Sequence, residues 1–419
     1  MPQRNKRRMR CRYCGSLETQ KYGKRTISPK SYSRRTTSEV QRYRCKRCKR
    51  TFVQRKEKKK QYTFGFKREM ARMHLEERLS YRVIAKRVTE RWGYRVSPKS
   101  LCSMVNAVAG LSKSSVEIQQ EYRPCWSGYL TVDDKWVSVK GTRHLSLVAV
   151  DNSGDPLHSE LHRESDQGVY DGFFLYLRDR LGYQLRALTT DFDLRLDKAA
   201  RRVFGADVTH QKCLWHATEI VKALIEYPQV QRRVRNIQRQ ITMLEESLAD
   251  RKQSLYDTNK TLQSLEVQLT EVGAIYQEKN ILLERFRECV FARRREISER
   301  CWRSFRRAYN KRYANVIHFI ASHWETLLEH QRDSHILKTN VRAENINKQF
   351  ERRLKTIEAF QSIETAFQYQ NLYRNYLRLK PYTDCRGARR ACNGLSPLQV
   401  CQAVLPSSDW LKLAVRYPK

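Results

Sequence analysis

From Glu219 to His335 the chain contains a single proline, Pro228, and a single glycine, Gly273. A stretch that long without backbone breakers is expected to be almost wholly helical. Ile237, Ile241, Leu244, Leu248, Leu255, Leu262, Leu265, Leu269, Val272 and Tyr276 keep a three-four spacing through it, with Arg251 and Thr258 on the same seam. Such a stripe either zips two chains into a coiled coil or packs a long helix onto its own neighbour, and the polar seam positions suit both. Further on, "RRREISERCWRSFRRAYNKRY" reads as a basic helix with interleaved aromatics, which either tracks DNA or presents an ordinary solvated face.

This helical block interrupts a region written in another pattern. From about residue 128, short apolar runs alternate with helical ones. The strands are 129–139, "HLSLVAVDN" and "PLHSELHRE", followed by the helix "GVYDGFFLYLRDRLG" and the strand "LRALTTDF". A helix near 195–204, the strand "ADVTHQK" and a helix from Leu214 complete the series. Three strands in succession and then βαβα is the order of a ribonuclease-H-like domain, although periodicity alone also admits another α/β fold.

The formal net charge is +39, and residues 1–60 hold 23 Lys and Arg against Glu18, Glu39 and Glu57, about half of the excess. A footprint so concentrated points to nucleic acid, because Lys and Arg gain by releasing counterions from phosphate. A membrane surface is the rival polyanion, but no apolar run reaches spanning length and no signal-peptide core follows the basic start. The expected setting is the cytoplasm, on the nucleoid, with no membrane and no small-molecule cofactor.

Within the basic segment stand two CxxC knuckles, Cys11 with Cys14 and Cys45 with Cys48. Four thiols at that spacing are the plan of a zinc ribbon over 1–60, with one structural Zn²⁺ supplying folding energy that so short a unit cannot bury. Cys102, Cys289, Cys301 and Cys401 sit in apolar helical settings and read as small core residues. A lysine-rich linker, "VQRKEKKKQYTFG", leads to three helices over 66–111. The second carries Tyr81, Ile84, Val88 and Trp92 on one face and stops at Gly93, and the third opens with Ser97 as N-cap and Pro98. With Leu101, Val105 and Val108 inward, Lys99, Ser100, Ser103 and Asn106 are left to face the major groove in a helix-turn-helix.

Three acids stand out in the remainder. Strand alternation puts Thr131, Asp133 and Lys135 on one face and Leu130, Val132, Asp134 and Trp136 on the other. Asp191 ends the strand "LRALTTD", with Asp193 as a rival that also suits a helix cap. Glu344 lies in "TNVRAENINKQFERRLKTIEAF", with Glu351 one heptad on. Carboxylates brought together repel unless cations lie between them, and oxygen-only ligands suit two Mg²⁺ or Mn²⁺ ions. Such ions support phosphodiester chemistry.

At these residues the chain resembles the DDE transposases of prokaryotic insertion sequences, and within them the group related to Mutator-type elements. The matching pieces are "TVDDKWVSVKG", "LTTDFD", "HQKCLWH" with its C-x-x-H pair Cys213 and His216, "TNVRAENINKQFERR" and the tail element "NGLSPLQ". The resemblance implies a transposase in which Asp133, Asp191 and Glu344 are the catalytic metal ligands, and in which end cleavage is followed by strand transfer. It implies double-stranded DNA, both element ends and target, as partner, bound by a homodimer or larger assembly. Arg342 and Lys348, flanking the third acid, are expected to contact DNA. The domains expected are the ribbon (1–60), the helix-turn-helix (66–111), the catalytic domain (128–218), a helical insertion (219–335) and the rest of the catalytic domain (336–419). Two other readings stay open: a ribonuclease-H-like nuclease or resolvase that cuts without joining, and a catalytically inactive, domesticated DNA-binding regulator.

Overall fold

In the computed structural model, which describes residues 9–27, 38–53, 62–93, 95–249, 255–357, 360 and 362–417, the chain opens with a three-stranded antiparallel sheet. Its strands are β1 (Thr19–Ile27), β2 (Ser38–Cys45) and β3 (Thr51–Val53), in that order. Most of the lysine-rich linker, residues 54–61, lies outside the described residues. Helices α1 (Phe64–Leu75), α2 (Tyr81–Trp92) and α3 (Pro98–Ala109) follow, each started by a hydroxyl cap, from Thr63, Ser80 and Ser97. Gly93 ends α2 at φ 70°, a left-handed conformation that glycine adopts without steric cost. α2 buries Tyr81, Ile84 and Val88, and α3 buries Leu101, Met104, Val105 and Val108. Each stripe recurs at three and four, as an amphipathic helix requires.

After α4 (Ser115–Tyr122), whose start is a capping box between Ser114 and Glu117, comes the α/β part. Its strands are β4 (Tyr129–Val139), β5 (Thr142–Asp151) and β6 (His158–His162), then helix α5 (Gln167–Leu175) extended by a π-turn to Arg180. β7 (Ala187–Thr190), α6 (Leu194–Phe204), β8 (Thr209–Lys212) and α7 (Leu214–Leu224) complete it. The five strands form one mixed sheet in the order β6-β5-β4-β7-β8. The first three pair antiparallel; β7 runs parallel to β4, and β8 to β7. Leu130 and Val132 of β4 and Leu145, Leu147 and Ala149 of β5 pack against Tyr170, Phe173, Leu196 and Ala199 of α5 and α6. The opposite face of the sheet is therefore free to receive something else.

The Gly- and Pro-poor stretch is helical, as its composition implies. It forms α8 (Tyr227–Ala249), α9 (Leu255–Phe291), α10 (Arg295–Tyr309) and α11 (Ala314–Leu327). The seam is buried within the chain: Val234 and Ile237 of α8 cluster with Leu265 and Val272 of α9, flanked by Ile241, Leu244, Leu269 and Tyr276. Tyr227 and Tyr276 meet hydroxyl to hydroxyl at 2.9 Å, so the two helices run antiparallel as a hairpin. Seam residue Arg251 and the side chain of Leu255 lie outside the described residues. Phe305 and Tyr309 of α10 face a core shared with α7, α9 and α11, while Arg300, Arg303, Arg306 and Arg307 face solvent. Cys289 and Cys401 are buried and Cys102 and Cys301 half-buried, as small apolar residues would be. No helix among the described residues is long and apolar enough to cross a membrane.

The chain ends with α12 (Val341–Ile357), α13 (Ile363–Leu379), α14 (Pro397–Val400) and α15 (Trp410–Ala414). It groups into two compact units: residues 1–113, 352–376 and 407–419 in one, 114–351 and 377–406 in the other. The segment 336–419 thus contributes to both. In the first unit the tail is clasped by its backbone, Lys113 N–H donating to Ala414 O and Arg416 N–H to Leu111 O, both at 2.8 Å. Arg68 and Arg72 of α1 pair with Asp409, the N-cap of α15. His74 is fully buried there, with Nδ1 2.8 Å from Leu79 O and Nε2 3.0 Å from the Tyr369 hydroxyl. A carbonyl can only accept, so Nδ1 carries the proton and Nε2 accepts from Tyr369.

Burial brings His74 down from its ordinary 6.5 to about 4. The unfolded chain therefore binds a proton that the native chain refuses. Stability from this group is complete above pH 6.5 and is lost as the pH falls toward 4. At pH 4.5 the loss amounts to ~2–3 kcal/mol. Chemical denaturation from pH 7 to 4.5 is expected to show a slope about one proton shallower in His74→Gln than in the parent chain.

Candidate active site and metal centre

β1 to β3 exist to place four sulfurs. Cys11 and Cys14 precede β1, Cys45 ends β2 and Cys48 sits in the turn to β3, which closes through Cys45 N–H to Arg50 O at 3.0 Å. The Sγ atoms of Cys11 and Cys48 are 3.6 Å apart and those of Cys14 and Cys45 3.7 Å, and all four lie within 4.8 Å of one another. Burial works against ionisation of Cys11, but N–H groups of Tyr13 and Cys14 outweigh it and bring the thiol to about 6. Among the described residues, Phe52, Met9 and Tyr43 supply the apolar cover in this cluster besides the cysteines themselves. Four sulfurs at that spacing fit a tetrahedral metal such as zinc.

The second site is built on the sheet face that α5 and α6 leave open. Asp133 lies mid-strand in β4, paired with Val148 of β5, and only 5% exposed. α12 lies along this face: Ala343 and Ile346 pack on Val148 and Val150, and Lys135 reaches Glu351 at 2.7 Å. Two buried carboxamides just before and within α12 take hold of the strand acid. Asn340 Nδ2 donates to Asp133 Oδ1 at 2.9 Å, and Asn347 Nδ2 to Oδ2 at 2.8 Å. Positions 340, 344 and 347 share one helical face, so Glu344 stands between the two amides on the Asp133 side. Burial raises Asp133 to about 7; Asn347 opposes that rise, and the negative charges of Asp191, Asp134 and Glu344 add to it. The three acids expected from sequence are thus electrostatic neighbours.

Asp191 directly follows β7, and its Oδ1 accepts from Asp193 N–H at 3.0 Å. Asp193 is the N-cap of α6 and is tied to Arg195, so its carboxylate is already committed. Asp134, on the opposite face, accepts from the Tyr170 hydroxyl at 2.6 Å. The lysine flanking Asp191 is buried Lys212, which donates to Asp191 O at 3.0 Å and pairs with Asp197 at 2.6 Å. Glu344 pairs with Lys348 at 2.8 Å. The ligand atoms that Asp133, Asp191 and Glu344 can offer are carboxylate oxygens, and Asn340 Oδ1 is buried without a hydrogen-bond partner. That chemistry suits a hard cation. Among the described residues only the cysteines have ligand atoms all within 4.8 Å of one another.

Cys213 is the buried N-cap residue of α7, and Asn340 N–H approaches its Sγ at 3.5 Å. Leu214 N–H donates to Lys338 O at 2.9 Å, so this junction fastens the start of α7 to the run into α12. Burial keeps the Cys213 thiol above its ordinary value, which favours the neutral form. His216 Nδ1 is buried without a hydrogen-bond partner. Arg342, expected to meet DNA, has its Nη1 buried, and burial followed by the charge of Arg389 lowers it to about 10. On α3, Lys99 and Ser103 are exposed, Ser100 is held by the Ser97 cap and Asn106 donates to Cys102 Sγ at 3.7 Å. Sequence reasoning missed Asn340 and Asn347. Their one signal is the spacing Asn-x₃-Glu-x₂-Asn, which puts three polar groups on one face of a helix that must dock.

Chelation, or Cys45→Ser, is expected to remove one zinc per chain by atomic absorption and to abolish amide-exchange protection in β1–β3. In divalent-free buffer, Asp133→Asn is expected to raise the thermal midpoint by a few degrees, about 1–2 kcal/mol, since it removes a buried charge among like charges. The new N–H can be received by Asn340 Oδ1 once that amide turns over. A lowered midpoint in calorimetry would count against this geometry. Compared with known proteins, the chain matches no family model and no curated protein.

Proposed function

We propose that this chain is a DNA transposase of the DDE type, and that Asp133, Asp191 and Glu344 hold two Mg²⁺ or Mn²⁺ ions. The observation that carries this reading is that Asp191, at a strand end, and Glu344, on a helix beyond a long helical insertion, are both electrostatic neighbours of the buried mid-strand carboxylate of Asp133. The strand order, with three antiparallel strands and two parallel ones added beside the first, supports a ribonuclease-H-like catalytic domain. The cysteine cluster supports a zinc ribbon, and the capped trio α1–α3 supports a helix-turn-helix reading element ends through Lys99, Ser100, Ser103 and Asn106. The concentration of charge in residues 1–60 supplies attraction to phosphate.

When bound, the ions would activate the attacking oxygen and stabilise the leaving one. The chain's own groups prepare for that. Each Asp133 oxygen accepts one amide N–H, which fixes the carboxylate plane and leaves a lone-pair site on each oxygen. Lys348 and Lys212 hold positive charge near Glu344 and Asp191, restraining their mutual repulsion. The reaction is in-line displacement at phosphorus. Water attacks and a 3′-oxygen leaves; the freed 3′-hydroxyl then attacks a target phosphodiester and displaces another 3′-oxygen. No residue serves as a covalent nucleophile. Because two ends must be held together, the working form is at least a dimer on DNA. The α8–α9 seam, buried within one chain, is not the surface that joins its copies.

The test is cleavage and joining of oligonucleotides copied from the DNA flanking the gene, with Mg²⁺ or Mn²⁺. Asp191→Asn and Glu344→Gln are expected to lose more activity than the ~10–100-fold that removal of an outer-shell partner costs, and Asn347→Ala to fall within that range. Cutting without joining would move the assignment to a nuclease. Tight end binding with no cutting under either metal would make the chain a regulator.

A further inference from the structure

Residues 342 and 344 are two apart on α12 and so turned about 200° from each other, which sends Arg342 to a flank of the helix away from Glu344. On that flank its electrostatic neighbours include Asp151, at the end of β5, and Arg389, which reaches the β5–β6 turn. Gly154 there has φ +100°, and a Cβ would stand 2.3 Å from the Tyr382 hydroxyl and 2.9 Å from Arg389 Nη2. The glycine is what lets Tyr382 and Arg389 close over the turn. Arg389 donates to Ser153 O at 2.8 Å and lies 5.0 Å from the centre of the Tyr382 ring. Arg342 has Arg389, Tyr382 and Asp151 as electrostatic neighbours, and its Nη1 is buried with no hydrogen-bond partner.

The acids of this region are already engaged. Asp155 takes two N–H groups of the fully buried Arg378 and the indole N–H of Trp126. Asp151 accepts from Ser127, Ser153 and Tyr183. Two carboxylates therefore face three guanidiniums, those of Arg378, Arg342 and Arg389, and one positive charge is left over. A largely buried cation with no counter-ion is costly, and it is retained where an anion will complete it. Paired guanidiniums match phosphate oxygens in fork geometry. Exposed Arg386 and Arg390, on the same segment as Arg389, continue the positive surface outward, which fits a polymer better than a free ion.

We infer that Arg342, together with Arg389 and Tyr382 where these close over Gly154, forms a pocket for one phosphodiester of the DNA backbone. This rests on the reading of the chain as a DNA strand-transfer enzyme. The single charge of a phosphodiester matches the single uncompensated charge of the pocket.

The test uses the full chain in divalent-free buffer, so that no cleavage occurs, with a short random-sequence duplex and a series of salt concentrations. Arg342→Met is expected to lower the magnitude of the log K against log salt slope by about 0.9, the value for one phosphate contact. Its thermal midpoint without phosphate is expected to equal or exceed that of the parent, and inorganic phosphate is expected to stabilise the parent more than the variant. Without divalent ions the slope reads binding alone, so a failure of the catalytic reading leaves this measurement standing. A lowered midpoint with an unchanged slope would make Arg342 structural and overturn the proposal. Phosphate stabilisation of the parent alone, with the slope unchanged, would assign the pocket to a free anion and also overturn it.

Discussion

The grip of two carboxamides on one strand carboxylate decides where everything else in the second unit can go. Against β5, α12 sets a small apolar patch, Ala343 and Ile346 on Val148 and Val150, and it buries Phe350 further along. Two amide hydrogen bonds to one carboxylate add a directionality that apolar contact lacks. Asn340 and Asn347 thus fix the register between helix and sheet, and they do so through Asp133. Glu344 is delivered to the strand because it lies between them. A group that is expensive to bury becomes the anchor of the element that completes the site.

The same unit separates its charges with some consistency. Acids are taken inside and satisfied by neutral donors or single cations: Asp133 by two amides, Asp134 by Tyr170, Asp151 by hydroxyls and backbone, Asp155 by Arg378. The exposed arginines of α10 stay outside while its aromatics enter the core. Buried carboxylates without full counter-charge are costly for folding, and they make sense where a cation is later bound. On the proposed function, the basic exterior and acidic interior are two halves of one device, one gathering phosphate and the other acting on it.

Much of this was legible in the residues. The CxxC pairs fix four sulfurs by spacing alone, and the period-two alternation of 130–136 placed Asp133 and Lys135 on the face that α12 covers and Asp134 on the other. Ser97-Pro98 and Gly93 mark helix ends because caps are local chemistry. The seam of α8 and α9 was legible as a stripe but not as a hairpin, since the same pattern serves packing within a chain and between chains. What the strand pattern did not show is that Tyr170 takes Asp134, because α5 covers that face of the sheet. Contacts between residues 207 and 214 positions apart, as in the Asn340 and Asn347 bonds to Asp133, leave no periodic trace. For the same reason the sequence did not show that 352–376 and 407–419 fold with the first 113 residues, or that Arg342 turns inward.

The central claim is that Asp133, Asp191 and Glu344 are a cation site and not a buried cluster of structural acids. A crystal structure of the full chain grown with Mn²⁺, with data collected at the manganese edge, addresses it directly. The account requires anomalous density between Asp133, Asp191 and Glu344 that vanishes in Glu344→Gln. Density confined to the cysteine cluster, with those three acids as they are without metal, would contradict it.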